Sequence, residues 1–161
     1  MELWFSESHT PDAKFSIRVD RQIYSTQSEF QRIDIFESPE FGRFLALDGY
    51  LMCTEKDEFI YHEMITHVPM AVHQKAKRIL VIGGGDGGAV RELVRYDRVE
   101  CIHMVEIDPE VVQVCKNYMP FTASWLEDPR VTIFYEDGLK YIRRQVDEYD
   151  LIIVDSTDPF G

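Results

Sequence analysis

Apolar and polar residues alternate through the first third of the chain. Phe15-Ser16-Ile17-Arg18-Val19 and Phe30-Gln31-Arg32-Ile33-Asp34-Ile35-Phe36 set apolar side chains against polar ones, the pattern of strands with one buried face. Between Phe41 and Met52 an Asp48-Gly49 dipeptide separates two apolar runs, a strong hairpin signal. These features predict a small antiparallel β-domain over residues 1–53. Thr54-Glu55-Lys56-Asp57 then has the pattern of a capping box, its hydroxyl and carboxylate serving the first amides of a helix. That helix is expected to run from Glu58 through Ile65 and to stop near Pro69.

From Arg78 onward the texture changes. Arg78–Ile82, Cys101–Val105, Val131–Tyr135 and Leu151–Val154 are continuous apolar runs that read as strands buried on both faces. Segments around Ala89–Arg95 and Glu110–Tyr118 between them read as helices. Such alternation predicts an α/β fold over residues 54–161: a Rossmann-like, doubly wound parallel sheet of the class I methyltransferase type.

Composition narrows the field. With 161 residues, 45% of them hydrophobic and 29% charged, the chain is an ordinary globular protein with one sizeable core or a full domain and a small partner. Its net charge of −12 argues against a nucleic-acid partner and is compatible with cationic small molecules. Cys53, Cys101 and Cys115 are widely spaced and form no C-x-x-C pair, so three reduced thiols in a cytoplasmic protein are expected. The start lacks the pattern of a secretory signal, and no apolar run approaches the roughly 18 residues that span a bilayer, so no membrane association is expected.

In a doubly wound sheet, ligands bind beyond the carboxyl ends of the strands. After the first parallel strand comes Gly83-Gly84-Gly85-Asp86-Gly87-Gly88, after the second Glu106-Ile107-Asp108, after the third Glu136-Asp137-Gly138, and after the fourth Asp155-Ser156-Thr157-Asp158. Each piece has a plainer explanation. A glycine-rich turn is often only a tight connection, Asp108 before Pro109 also suits a helix cap, and Asp137-Gly138 suits a turn. Carboxylates at four successive strand ends are harder to assign to caps and turns alone.

Glu106 lies about 20 residues beyond the glycine loop, where a carboxylate commonly accepts hydrogen bonds from ribose hydroxyls. Asp86 sits inside the loop, where it would repel a pyrophosphate at a cost of several kcal/mol in a partly desolvated site. A nicotinamide dinucleotide is therefore disfavoured. A sulfonium nucleoside carries no phosphate and is cationic at sulfur. Asp86 would attract an ammonium on its tail and repel a carboxylate there, which favours a decarboxylated form.

Taken in order, Leu47-Asp48-Gly49, Thr54–Met64, Gly83–Gly88, Val105–Asp108, Asp137-Gly138 and Asp155-Ser156-Thr157-Asp158-Pro159 resemble the bacterial spermidine synthases, members of the polyamine aminopropyltransferases, across essentially the whole chain. The resemblance implies transfer of an aminopropyl group from decarboxylated S-adenosylmethionine, a co-substrate, to putrescine, giving spermidine and methylthioadenosine. It implies that Gln31, Glu106 and Asp137-Gly138 hold the nucleoside beside the loop glycines Gly83 and Gly85. Asp86 would bind an ammonium, and Tyr61, His62, Asp155 and Asp158 would line the acceptor amine. Asp155 is the expected general base, with Tyr61 and Asp158 orienting the nitrogen. No permanently bound cofactor and no metal are expected, and relatives suggest a homodimer or homotetramer. His62-Glu63 hints at H-E-x-x-H, but the next histidine is His67, one position too late to share a helix face.

Two other classes compete: an amine N-methyltransferase using intact S-adenosylmethionine, and a non-catalytic binding or assembly fragment. Asp86 speaks against the first. Family members continue well past this chain's last residue, so an incomplete form is expected, one that retains part of the nucleoside site and has little or no transferase activity. Near-normal turnover by the purified chain would contradict that expectation.

Overall fold

A computed structural model describes residues 2–157, and the chain divides after Glu58 into two compact units. The first unit is all antiparallel. Strands β1 (Leu3–Thr10) and β2 (Ala13–Val19) form a two-stranded sheet. Strands β3 (Arg21–Gln27), β4 (Arg32–Ser38), β5 (Gly42–Leu47) and β6 (Tyr50–Thr54) form a four-stranded meander in chain order. Phe5, Ile17 and Val19 of the small sheet pack with Phe44 and Ala46 of the large one, so the two sheets share a core. The Asp48-Gly49 hairpin is present. Both residues have positive φ, 51° and 84°, as a two-residue turn matched to strand twist requires.

Two strands here, β1 and β3, escape the alternation seen in the sequence. The strand expected from Phe30 starts only at Arg32, because the Ser28 hydroxyl accepts from the Phe30 and Gln31 amides and donates to the Gln31 carbonyl, which closes a turn. The expected capping box is also corrected. Thr54 ends β6, four residues before the helix begins, and its hydroxyl donates to the Asp57 carboxylate at 2.6 Å across a turn.

Helix α1 (Glu58–Val72) runs past Pro69 instead of stopping near it. A proline forfeits its own N–H bond and crowds one carbonyl, but the next turn still closes, with the His73 N–H donating to the Pro69 carbonyl at 2.8 Å. The second unit then builds its sheet from β7 (Arg78–Gly83), β8 (Cys101–Glu106), β9 (Val131–Tyr135) and β10 (Leu151–Asp155). All pairs are parallel and the order is β10-β7-β8-β9. Helix α2 (Gly88–Val94) links β7 to β8. Helices α3 (Pro109–Tyr118) and α4 (Pro120–Ala123), with a 3-10 turn, link β8 to β9, and α5 (Gly138–Ile142) links β9 to β10.

Ile79, Val81, Ile102 and Met104 are fully buried on one sheet face, while Tyr141 of α5 packs with Leu80 and Val105 on the other. Strands β9 and β10 depart from the expected burial on both faces: Tyr135, Ile152 and Val154 are exposed. They are the edge strands of the described sheet, covered less fully than the central pair. The order of strands reverses at β7, with β8 and β9 laid to one side of it and β10 to the other, which places the switch point at the carboxyl ends of β7 and β10.

Candidate functional site

Register aligns the strand ends. Asp155 pairs with Gly83, and Glu106 stands one residue beyond the Ile82–Val105 pair on the neighbouring strand. Beyond β7 the backbone turns at once: Gly83 has φ 82°, and a Cβ there would lie 2.0 Å from the Asp155 carbonyl oxygen. That carbonyl accepts from the Gly84 N–H at 2.8 Å, so the loop is stitched to the end of β10. Glycine at position 83 thus lets two strand ends approach closely enough to share a site.

Asp86, in this loop, accepts from the Gly88 N–H at 2.7 Å and lies 3.4 Å from His62 Nε2. Asp155 Oδ2 lies 3.9 Å from the same nitrogen, and it is buried without a hydrogen-bond partner. Tyr61 reaches Asp155 with its hydroxyl and packs edge-on to the His62 ring. Burial first, and then the Asp86 charge, push Asp155 up to about 6, although His62 and the Tyr61 hydrogen bond pull the other way. Tyr61, His62, Asp86 and Asp155, four of the expected residues, are therefore brought together.

Glu106 closes the adjacent side of the loop. A Cβ on Gly85 would sit 2.9 Å from its Oε2, and its carboxylate accepts from the backbone of Asp108, Ile107 and Gly85. Burial still raises its proton affinity, despite those donors. Cys115 records the same field. It is fully buried, and burial, then Asp86 and Glu106, push its thiol well up.

Two carboxylates take structural roles. Asp108 caps α3 by accepting from the Glu110 N–H at 3.0 Å, ahead of Pro109 in the first turn. Asp137 caps α5, its Oδ1 accepting from Leu139 and Lys140. Those bonds hold Asp137 below the usual carboxylate range. Gly138 lies over the end of β7, where a Cβ would meet Ile82 Cγ2 at 2.5 Å. Gln31 belongs to the first unit, in the turn before β4. Asp158 lies outside the described residues.

Some features escaped the sequence reading. Ile107 and Leu139 are exposed apolar residues just past the ends of β8 and β9. The signal was an apolar residue wedged between Glu106 and Asp108, and another following Gly138. Gly88 is the second: a Cβ there would lie 2.3 Å from the His62 ring, so the glycine makes room for the imidazole. Ligand atoms of His62, Asp86 and Asp155 all fall within 4.8 Å of one another, close enough to embrace one cationic group. His67 belongs to a separate cluster with Glu63 and Glu92, consistent with its different position around α1.

Comparisons with known proteins agree on one family. Residues 58–161 match the spermine/spermidine synthase domain, and residues 3–55 match the spermidine synthase tetramerisation domain. The chain is 69% identical over 161 residues to a polyamine aminopropyltransferase of Alkaliphilus oremlandii (strain OhILAs) and 66% identical to one of Clostridium botulinum (strain Alaska E43 / Type E3). It spans 57% of the length of each of these curated relatives. A crystal structure of spermidine synthase in complex with the transition state analogue AdoDATO superposes with a TM-score of 0.95 at 47% identity, covering 98% of this chain and 54% of that one. Spermidine synthase from Thermotoga maritima gives 0.95 at 46% identity, covering 98% and 55%.

Proposed function

The chain belongs to the spermine/spermidine synthase family, and from that premise we propose that its strand-end site serves aminopropyl transfer from decarboxylated S-adenosylmethionine to putrescine. The products are spermidine and methylthioadenosine. The observation that carries this reading is the convergence of Asp86, Asp155 and Glu106 around one glycine loop, with Asp155 and Glu106 both held above the usual carboxylate range. Such a site attracts cations.

Glu106 is assigned to the ribose hydroxyls and the Asp137-Gly138 segment to the base, with Ile107 and Leu139 as apolar walls. Gln31 is assigned to the nucleoside on resemblance alone. Asp86 takes an ammonium. Asp155 accepts a proton from the acceptor alkylammonium, which frees the nitrogen lone pair. That pair attacks the aminopropyl carbon next to sulfur, a C–N bond forms, the C–S bond breaks, and its electrons stay on sulfur. Methylthioadenosine leaves neutral and needs no acid. An ordinary aspartate is a poor base for an alkylammonium; raising Asp155 to about 6 shortens the uphill proton transfer by about 3 kcal/mol. The rest of the acceleration is positioning of nitrogen, carbon and sulfur in line.

Neither a resident cofactor nor a metal enters this reading. The first unit is assigned to self-association as a homodimer or homotetramer, and the reaction to the cytoplasm. Among the described residues no helix is long and apolar enough to cross a membrane. The test is aminopropyl transfer to putrescine by the parent chain and by Asp155→Asn. Turnover abolished by the substitution supports the assignment, whereas turnover that survives it removes Asp155 as the base. A parent chain that neither turns over nor binds methylthioadenosine sinks the reading.

A further inference from the structure

We infer that His103, Tyr149 and Tyr141 form a chain of hydrogen bonds on the α5 side of the parallel sheet that positions the Asp137-Gly138 segment, with Tyr141 the positioning residue for the nucleoside base. The inference rests on the assignment of that segment to the base and extends it to side chains away from the ligand. Helix α5 has five residues, too few to hold itself together in water. Asp137 Oδ1 caps it, and Tyr141 is its buried residue. The Tyr141 N–H donates to the Asp137 carbonyl at 2.9 Å, so the tyrosine stands one turn from the segment it fixes. Its ring packs with Leu80 and Val105 and lies 5.1 Å from the Phe134 ring between centroids. Apolar packing has no direction, whereas a hydrogen bond from the hydroxyl selects one placement of the ring.

The Tyr141 hydroxyl is 2.6 Å from that of Tyr149, which is 2.7 Å from His103 Nδ1. A longer approach of 3.3 Å joins Tyr141 to the same nitrogen. Burial, then the Arg78 charge, lower the proton affinity of His103, while burial, then the Tyr141 bond, raise that of Tyr149. Imidazole and phenol are both held neutral. With Nδ1 as acceptor, the Tyr149 O–H donates to it and the Tyr141 O–H donates to the Tyr149 oxygen, so both hydroxyl protons are used. The three residues come from β8, from α5 and from the stretch just before β10. Strand β8 ends at Glu106, α5 starts at Gly138 and β10 ends at Asp155. One chain of hydrogen bonds thus ties together three pieces of backbone that carry the proposed site.

The test uses Tyr141→Phe and Tyr149→Phe, each of which removes one oxygen and keeps the ring. Calorimetry gives the affinity of each chain for methylthioadenosine and for methylthioinosine, which carries an oxygen in place of the amino group of the base. Hydrogen exchange follows the Leu139 and Lys140 amides, which Asp137 caps. Either substitution is expected to cut the preference for methylthioadenosine about threefold and to speed exchange at those amides about fivefold relative to α3, the scale of one neutral hydrogen bond. The double variant is expected to match the singles, because the two hydroxyls act in one chain. An unchanged preference in a folded variant overturns the inference whatever the loss of overall stability, and so does unchanged exchange or a fully additive loss in the double variant. Equal affinities in the parent would instead count against the assignment of Asp137-Gly138 to the base, and the exchange rates would then decide alone whether the chain of hydrogen bonds holds α5.

Discussion

Two groups of buried carboxylates in the second unit solve the same physical problem in opposite ways. Glu92, on α2, is buried, which alone would push its proton affinity up, but Arg91 and Arg95 bond it and hold it below the usual range. His67 adds a third partner at 3.0 Å. At the strand ends, Asp155 and Glu106 are also removed from solvent, and burial and neighbouring carboxylates leave both raised. Two arginines neighbour Glu92, whereas among the described residues the groups acting on Asp155 and Glu106 include no arginine. Paired acids hold structure together, whereas acids kept short of cations are poised to take one from outside.

The contrast can be broken most severely at Gly83. Gly83→Ala puts a methyl 2.0 Å from the Asp155 carbonyl oxygen, at a φ of 82°. A loss of about 4 kcal/mol in urea-monitored stability is expected, with the strand ends forced apart. A change under about 1 kcal/mol would mean that loop and strand are not held together as described.

The next effect is at the paired acid. Glu92→Gln removes the charge that Arg91 and Arg95 share, and about 2 kcal/mol of stability should go with it. Asp155→Asn should act with the opposite sign. Asp155 is raised in the folded chain, so its contribution is fully present only below the ordinary aspartate value, 3.8, and is lost as pH rises from there through about 6. The neutral variant is therefore expected to be more stable than the parent by about 1–2 kcal/mol at pH 8, with the difference shrinking toward pH 4. Thermal melts of both chains at the two pH values decide it. A variant less stable at pH 8 than at pH 4, relative to the parent, would show that the site does not penalise its own charge.

The sheet was legible where burial writes itself into the chain. Each apolar run from Arg78 onward became a strand, because parallel strands with helices on their faces need apolar residues in succession. Strand β1 was hidden because Glu7 points inward with Phe5; it is buried, and its carboxylate accepts from the Leu51 N–H at 2.8 Å. Strand β3 was hidden because it is mostly polar and its two apolar residues, Ile23 and Tyr24, are adjacent and do not alternate; it is held by pairing to β4 and by bonds such as Arg21–Glu37. The end of α1 was misplaced because a proline inside a helix is tolerated when the surrounding turns close.

At the site, residue types and their order after each strand were enough to pick out Asp86, Glu106 and Asp155. Roles needed three dimensions. Asp108 and Asp137 spend an oxygen capping helices, and no spacing rule says which acid will do so. The burial of His62 depends on the empty volume at Gly88, a residue far from it in sequence.

The most direct test of the central claim, that these carboxylates select a cationic nucleoside, is calorimetric titration of the chain with decarboxylated S-adenosylmethionine and with S-adenosylmethionine itself. The two ligands differ by one carboxylate. The account predicts that the decarboxylated form binds at least tenfold more tightly and that Asp86→Asn narrows the gap. Equal affinity, or tighter binding of the carboxylated form, would contradict it.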